Sequence, residues 1–230
     1  MSLERWDAAG NVYLVYEGEA LDAARARELA AGADGILEAL ARDRDSAEIR
    51  IWNPDGSTAE LSGNGTRIAA RWLAQLSGAR EVTIRVGPRE VVARMLGGDL
   101  VEQDMGPVEV SGREQVAGFE LTVVSVGNPH AVVEGDPAEI ARIGPLLETH
   151  PRFPNRTNVQ VVRVEAPGRV TARVWERGVG ETQASGTSAV AVAAATHGDG
   201  EVTVVFPGGE LRVRLAGGRA WLTGPAARMS

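Results

Sequence analysis

The chain contains no cysteine. That excludes disulfide bridges, thiolate metal sites and catalysis by a thiol. Its three histidines are scattered, without the paired spacing of metal ligands, so no metal is expected. No apolar run is long enough to cross a bilayer. The opening residues Met-Ser-Leu-Glu-Arg-Trp lack the apolar core of a signal peptide. A cytoplasmic location with no membrane partner is therefore expected. Positive charge is also short: 24 basic residues stand against 31 acidic ones, for a net charge of −7. Phosphate recognition needs clustered cations, so nucleic acid is not an expected partner. What remains is an ordinary globular composition, 43% hydrophobic over 230 residues. That is enough for one large domain or two of usual size.

The most informative feature present is an internal match. One block runs from Ile51 and Trp52 through Asn53-Pro-Asp-Gly to Ser62-Gly63-Asn64-Gly65 and an alanine-containing run. A second runs from Val174 and Trp175 through a glycine-containing turn to Ser185-Gly186-Thr187 and another alanine-rich run. Without a gap, Trp52 falls on Trp175 and Ser62 on Ser185, 123 positions apart. Each block reads as strand, loop and a helix opening at Ser-Gly. Two copies imply two related domains with a site between them.

The rest of the chain reads mostly as strands. Val12–Tyr16, Ile36–Leu40, Glu48–Asn53, Glu81–Val86, Glu90–Met95 and Leu100–Met105 carry apolar, β-favouring or alternating patterns in the first half. Phe119–Val126, Val159–Val164, Val170–Glu176, Val202–Phe206, Leu211–Leu215 and Ala220–Thr223 do so in the second. Ala20–Leu29 reads as helix, and Pro137–Ile143 as a short helix capped by Asp136. The polar stretch Ser111-Gly-Arg-Glu-Gln115 is the candidate boundary. The expected domains are thus 1–112 and 113–230, with the last strand a candidate to pack on the first domain. The fold class is α+β.

A helix start leaves backbone N–H groups without partners and carries partial positive charge. Glycine beside it lets a ligand approach closely. Two such starts could hold one carboxylate, with Ser62 and Ser185 flanking the bound group. A lone Ser-Gly step is more simply a helix cap. Duplication in register, followed by Asn64 and Thr187, favours a functional role. Gly63-Asn-Gly65 alone is weak evidence for a nucleotide site, because no Rossmann pattern surrounds it.

The blocks Asn53-Pro-Asp-Gly-Ser…Ser62-Gly-Asn-Gly-Thr-Arg67 and Glu176-Arg-Gly-Val-Gly-Glu-Thr…Ser185-Gly-Thr187 resemble the two signature blocks of the diaminopimelate epimerase family. Further matches follow in order: Gly10-Asn11, Gly32-Ala-Asp-Gly35, Asp104-Met-Gly106, Gly127-Asn-Pro-His130, and Arg152-Phe-Pro154 with Asn158. They span nearly the whole chain. The resemblance implies two pseudo-symmetric domains, each a β-barrel-like sheet round a central helix, with the ligand in the cleft. It implies amino-acid epimerisation without pyridoxal phosphate, other cofactor or metal, on a small amino-acid substrate in lysine biosynthesis. A homodimer is an open expectation.

The family uses two cysteines as base and acid, where this chain has Ser62 and Ser185. A thiol titrates near ~8.5 and reaches the thiolate in a favourable site. A serine hydroxyl is far less acidic and needs an adjacent base. Two accounts stand open: engineered serines that trap substrate, or a natural cysteine-free branch. The resemblance places His130 beside the first catalytic position and Glu176 beside the second, so both are candidates for proton transfer, although His130 also fits a hydrogen-bonded core residue. Asn11, Asn53, Asn128 and Asn158 sit at strand or turn ends, where asparagine suits the backbone; the resemblance makes them substrate contacts, with Gly63, Asn64, Gly186 and Thr187. Arg177 can grip a carboxylate with two parallel bonds and is expected to hold the distal amino-carboxylate end of diaminopimelate with Asn158 and Glu176. Glu181-Thr182 shapes its loop, the five tryptophans read as core or cleft wall, and His150 and His197 receive no role. Three functions remain in view: an epimerase altered by its serines, a non-catalytic amino-acid-binding protein, and a one-base isomerase using Glu176 or His130.

Overall fold

The computed structural model describes residues 2–229. They divide into a unit of Met1–Asp104 with Thr223–Ser230 and a unit of Met105–Leu222. The chain therefore returns to the first unit for its last strands. The polar stretch 111–115, read as a boundary, instead lies within a strand, and the division falls near residue 104 rather than 112. That strand is almost wholly exposed, so its polar composition is what a solvated strand requires.

The first unit opens with β1 (Ser2–Ala8) and β2 (Asn11–Glu17), an antiparallel pair. Helix α1 (Ala23–Leu29) crosses to β3 (Gly35–Arg42), which runs parallel to β2. Next come β4 (Ser46–Trp52), the short β5 (Thr58–Ala59) and helix α2 (Gly63–Ser77). Then β6 (Glu81–Val86) runs parallel to β4. β7 (Arg89–Gly97) and β8 (Leu100–Pro107) continue antiparallel.

The second unit repeats the plan. After β9 (Glu109–Val116), β10 (Phe119–Ser125) and β11 (Pro129–Glu134) form the antiparallel pair. A 3₁₀ turn at Pro137–Glu139 and helix α3 (Ile140–Glu148) cross to β12 (Asn158–Ala166), parallel to β11. β13 (Arg169–Glu176), β14 (Gly180–Thr182), α4 (Gly186–Thr196), β15 (Gly200–Phe206) and β16 (Gly209–Ala216) follow, with β15 parallel to β13. β17 (Arg219–Pro225) leads back to β18 (Ala227–Arg228), which pairs with β1. The parallel pairs β2–β3, β4–β6, β11–β12 and β13–β15 are each bridged by a helix, as a parallel connection demands.

The repeat extends to register. Ile36 pairs with Trp52 as Val159 pairs with Trp175, and Trp52 pairs with Thr58 as Trp175 pairs with Glu181. All three residue correspondences keep the 123-residue offset.

The two Ser-Gly helices lie at the centres of their units. α2 packs against β1, β2, β4, β6 and β7; α4 packs against β10, β11, β12, β13, β15 and β16. α4 is buried along most of its length, as expected of a helix apolar all round. α2 starts at Ser62, whose side chain accepts a bond from Gly65 N–H, and stops at Gly78 in the left-handed region, φ 72°. α3 continues to Glu148, past the expected end at Ile143. Gly144 allows this because a Cβ there would lie 2.6 Å from Trp175 Cβ and Cγ. Gly144 is a packing contact against Trp175.

Candidate active site

In the first unit, Ser62 forms the N-cap of α2 with an extended backbone, φ −136° and ψ 119°. Its Oγ accepts the Gly65 N–H at 3.0 Å and lies 3.1 Å from the Tyr13 hydroxyl. Tyr13 comes from β2, and Gly35 on the paired strand gives its ring space. A Cβ at Gly35 would lie 2.8 Å from the ring and 2.5 Å from the Trp52 carbonyl.

Behind Ser62, the amides of Asn64 and Asn11 are joined, Asn64 Nδ2 donating to Asn11 Oδ1. Asn64 Oδ1 accepts from Arg67 Nη2 at 2.8 Å, and Arg67 Nε donates to the Pro225 carbonyl at 2.9 Å. Arg67 is fully buried, and burial lowers its pKa to about 10, against the opposing pull of Asp7. It is still a cation at neutral pH.

The buried Gln103 amide enters the first turn of α2. It lies 2.7 Å from Thr66 Oγ1. Asn53 is engaged with its own turn: Nδ2 donates to Ser57 Oγ at 2.9 Å and N–H to the Ser57 carbonyl at 2.8 Å. Asp55 takes bonds from the Ser57 hydroxyl and N–H, which hold its carboxyl below the usual range. The turn is thus built by asparagine and aspartate chemistry.

In the second unit, His130 is fully buried on β11. Its Nε2 lies 2.9 Å from Asn128 Oδ1 and its Nδ1 lies 3.0 Å from Gln160 Nε2. Burial drives its pKa down to about 3; the Gln160 bond opposes the shift and the Arg177 charge adds to it. The ring is neutral at pH 7, and its two bonds run to amides rather than to Ser185. Gln160 also donates to Ser188 Oγ at 2.9 Å, tying His130 to the first turn of α4.

Ser185 caps α4 with an extended backbone, is almost fully buried, and makes no side-chain cap bond. The turn after β13 carries Glu176 and Arg177. Glu176 Oε1 accepts the Thr182 hydroxyl at 2.6 Å, so Thr182 does shape this loop. Arg177 N–H donates to Asn158 Oδ1 at 3.0 Å, while its Nη1 reaches the Asn155 carbonyl at 3.3 Å. Asn158 Nδ2 donates to the Pro129 carbonyl at 3.0 Å.

Under this turn sits Glu148, at the end of α3. It accepts the Trp175 indole N–H at 2.7 Å, Gly178 N–H at 2.8 Å and Arg156 Nη1 at 3.4 Å. Burial alone would raise its pKa; the indole and backbone bonds and the arginine charge outweigh that and hold it below the ordinary value. Its carboxylate anchors the turn bearing Glu176 and Arg177.

Of the site residues inferred from sequence, Asn11, Asn53, Gly63 and Asn64 belong to the unit that holds Ser62, and Asn128, His130, Asn158, Glu176, Arg177, Gly186 and Thr187 belong to the unit that holds Ser185. Tyr13, Arg67, Gln103, Glu148 and Gln160 were missed. Among the described residues, no cluster of three His, Asp or Glu side chains is placed to hold a metal ion.

The fold of two matched α+β units is shared with solved structures. A protein from Pseudomonas aeruginosa described as a predicted epimerase superposes with a TM-score of 0.78 at 20% identity, covering 99% of this chain and 96% of that one. A probable proline racemase from Agrobacterium radiobacter gives 0.69 at 16% identity, covering 99% and 91%. Within that fold, the family profile for diaminopimelate epimerase matches residues 10–111 and 122–229. The diaminopimelate epimerase of Synechococcus elongatus is 40% identical over 233 residues, covering 88% of this chain and 83% of the relative. That of Desulfitobacterium hafniense is 37% identical over 232 residues, covering 87% and 82%. The chain belongs to the diaminopimelate epimerase family.

Proposed function

We propose that this chain interconverts the LL and meso forms of diaminopimelate by removing and returning the α-proton. Ser62 and Ser185 stand at the two proton-transfer positions, and they set the rate. The observation that carries the reading is the repeated Ser-Gly helix start in a chain 37–40% identical to named diaminopimelate epimerases. Backbone N–H groups at a Ser-Gly helix start are suited to bind the carboxylate next to the reacting carbon and to stabilise the charge that develops there. Arg177, on the turn anchored by Glu148, supplies a planar cation for the second carboxylate. The chain has no lysine, so no side-chain amine can form an imine with pyridoxal phosphate. Proton loss must then be driven by electrostatic stabilisation and by the acid–base groups themselves.

The serines make this slow. A thiol at a helix start can ionise near neutral pH, whereas a serine hydroxyl stays protonated and is a poor base. His130 does not compensate: with a pKa of about 3 and full burial, it acts through position rather than titration. Losing a matched general base costs about 10²–10⁴-fold.

The test is conversion of LL- to meso-diaminopimelate, followed by chiral chromatography, for the chain as it stands beside a Ser62→Cys/Ser185→Cys version. The cysteine version should be faster by about 10²-fold or more. A cysteine version with no conversion would remove the assignment.

A further inference from the structure

The two units repeat in register, yet their serines have different neighbours. Tyr13 on β2 pairs with Gly35, and His130 on β11 pairs with Asn158. Gly35 and Asn158 are 123 positions apart, the offset that relates Ser62 to Ser185. Tyr13 and His130 are thus the same place in the repeat. In the second unit the imidazole bonds Gln160 and Asn128, and Ser185 has no side-chain cap bond. In the first unit Leu37 stands where Gln160 would be, and the Tyr13 hydroxyl lies 3.1 Å from Ser62 Oγ. Gly35 leaves the space that lets the ring lie there, since any Cβ would meet it at 2.8 Å.

We propose that Tyr13 is the proton-relay partner of Ser62, a positioning residue that makes the first-unit serine competent for proton transfer. The chemistry follows from the lone pairs. Ser62 Oγ has two acceptor sites and one hydrogen. Gly65 N–H occupies one acceptor site. When the phenol donates into the other, the serine hydrogen is left for the ligand, and Ser62 is a proton donor. In that direction the Oγ–H bond breaks and its proton forms the new Cα–H bond of the substrate. The phenol proton passes to Oγ at the same time. The negative charge moves from the α-carbon to the phenolate. The reverse step removes the α-proton: Oγ takes it while passing its own proton to the phenolate. Atoms and charge balance without any other reactant. A phenol titrates near ~10, far below an aliphatic hydroxyl, so the phenolate stores the charge that a serine alkoxide would not.

The proposal rests on Ser62 occupying a proton-transfer position of the epimerase reading, and the test separates the two. α-Proton exchange of diaminopimelate in deuterated water is followed for the unmodified chain, Tyr13→Phe, Ser62→Cys/Ser185→Cys, and the cysteine pair combined with Tyr13→Phe. Tyr13→Phe should lower the exchange kcat by about 10²-fold in the serine chain with KM unchanged. In the cysteine background, where the thiolate needs no relay, the same change should cost about threefold or less. An equal loss in both backgrounds would mean that the phenol only packs, and no loss in the serine chain would remove the relay. A serine chain silent beside an active cysteine version would also overturn it. Silence of the cysteine version would instead overturn the epimerase reading, and the relay with it.

Discussion

His130 is the side chain whose environment most alters its chemistry. Its pKa is driven far below the ordinary value, to about 3, because burial penalises the imidazolium. The unfolded chain binds a proton at this residue near pH 6.5, and the folded chain does not. Stability from this group is therefore full above about pH 6.5 and falls as the pH drops towards 3. Between pH 7 and pH 5 the loss should be about 2 kcal/mol. Urea unfolding at the two pH values should show it, and His130→Asn should remove that part of the difference. A stability difference unchanged by His130→Asn would mean that the ring is protonated in the fold. The same burial explains why sequence left His130 open between a core residue and an acid–base group. The motif Asn128-Pro-His130 marks the place, while its bonding depends on Gln160, 30 residues away. Tyr13 was invisible for a similar reason. It read as one residue of an apolar strand, and its partner Ser62 is 49 residues distant.

At the scale of elements, the strand–loop–helix blocks were legible because their residues are local: β-branched and aromatic strands, a glycine-bearing turn, and Ser-Gly at the helix start. The strand β9 was not legible, because a solvated strand and a polar linker share a composition. Nor was the length of α3, because the contact of Gly144 with Trp175 joins residues distant in the chain. α3 matters to the site through Glu148, which fastens the turn carrying Glu176 and Arg177. Its stabilising contribution is present above the ordinary carboxylate range and is lost as the pH falls through its depressed folded value. Glu148→Gln keeps the shape and removes the charge. It should cost about 1.5–3 kcal/mol, the scale of hydrogen bonds to a charged group. It should also speed amide hydrogen exchange at Gly178 and raise KM for diaminopimelate through a looser Arg177. Unchanged exchange at Gly178 would show that the turn is held by other contacts.

At the scale of the whole molecule, the duplication was readable as a 123-residue offset, and the pairing register repeats it strand by strand. Sequence could not show that the halves had diverged in chemistry: a phenol beside the serine of one unit, and a neutral, amide-bonded imidazole at the equivalent place in the other. If each unit serves one face of the α-carbon, each serine governs proton exchange for one configuration. The most direct measurement uses the two single variants, Ser62→Cys and Ser185→Cys, with LL- and meso-diaminopimelate in deuterated water and mass-spectrometric detection of α-deuterium. Each variant should accelerate exchange from a different configuration at the reacting carbon, one acting on the L centre and the other on the D centre, by about 10²-fold over the unmodified chain. Acceleration of the same configuration by both variants, or of neither, would contradict the assignment of one serine to each face.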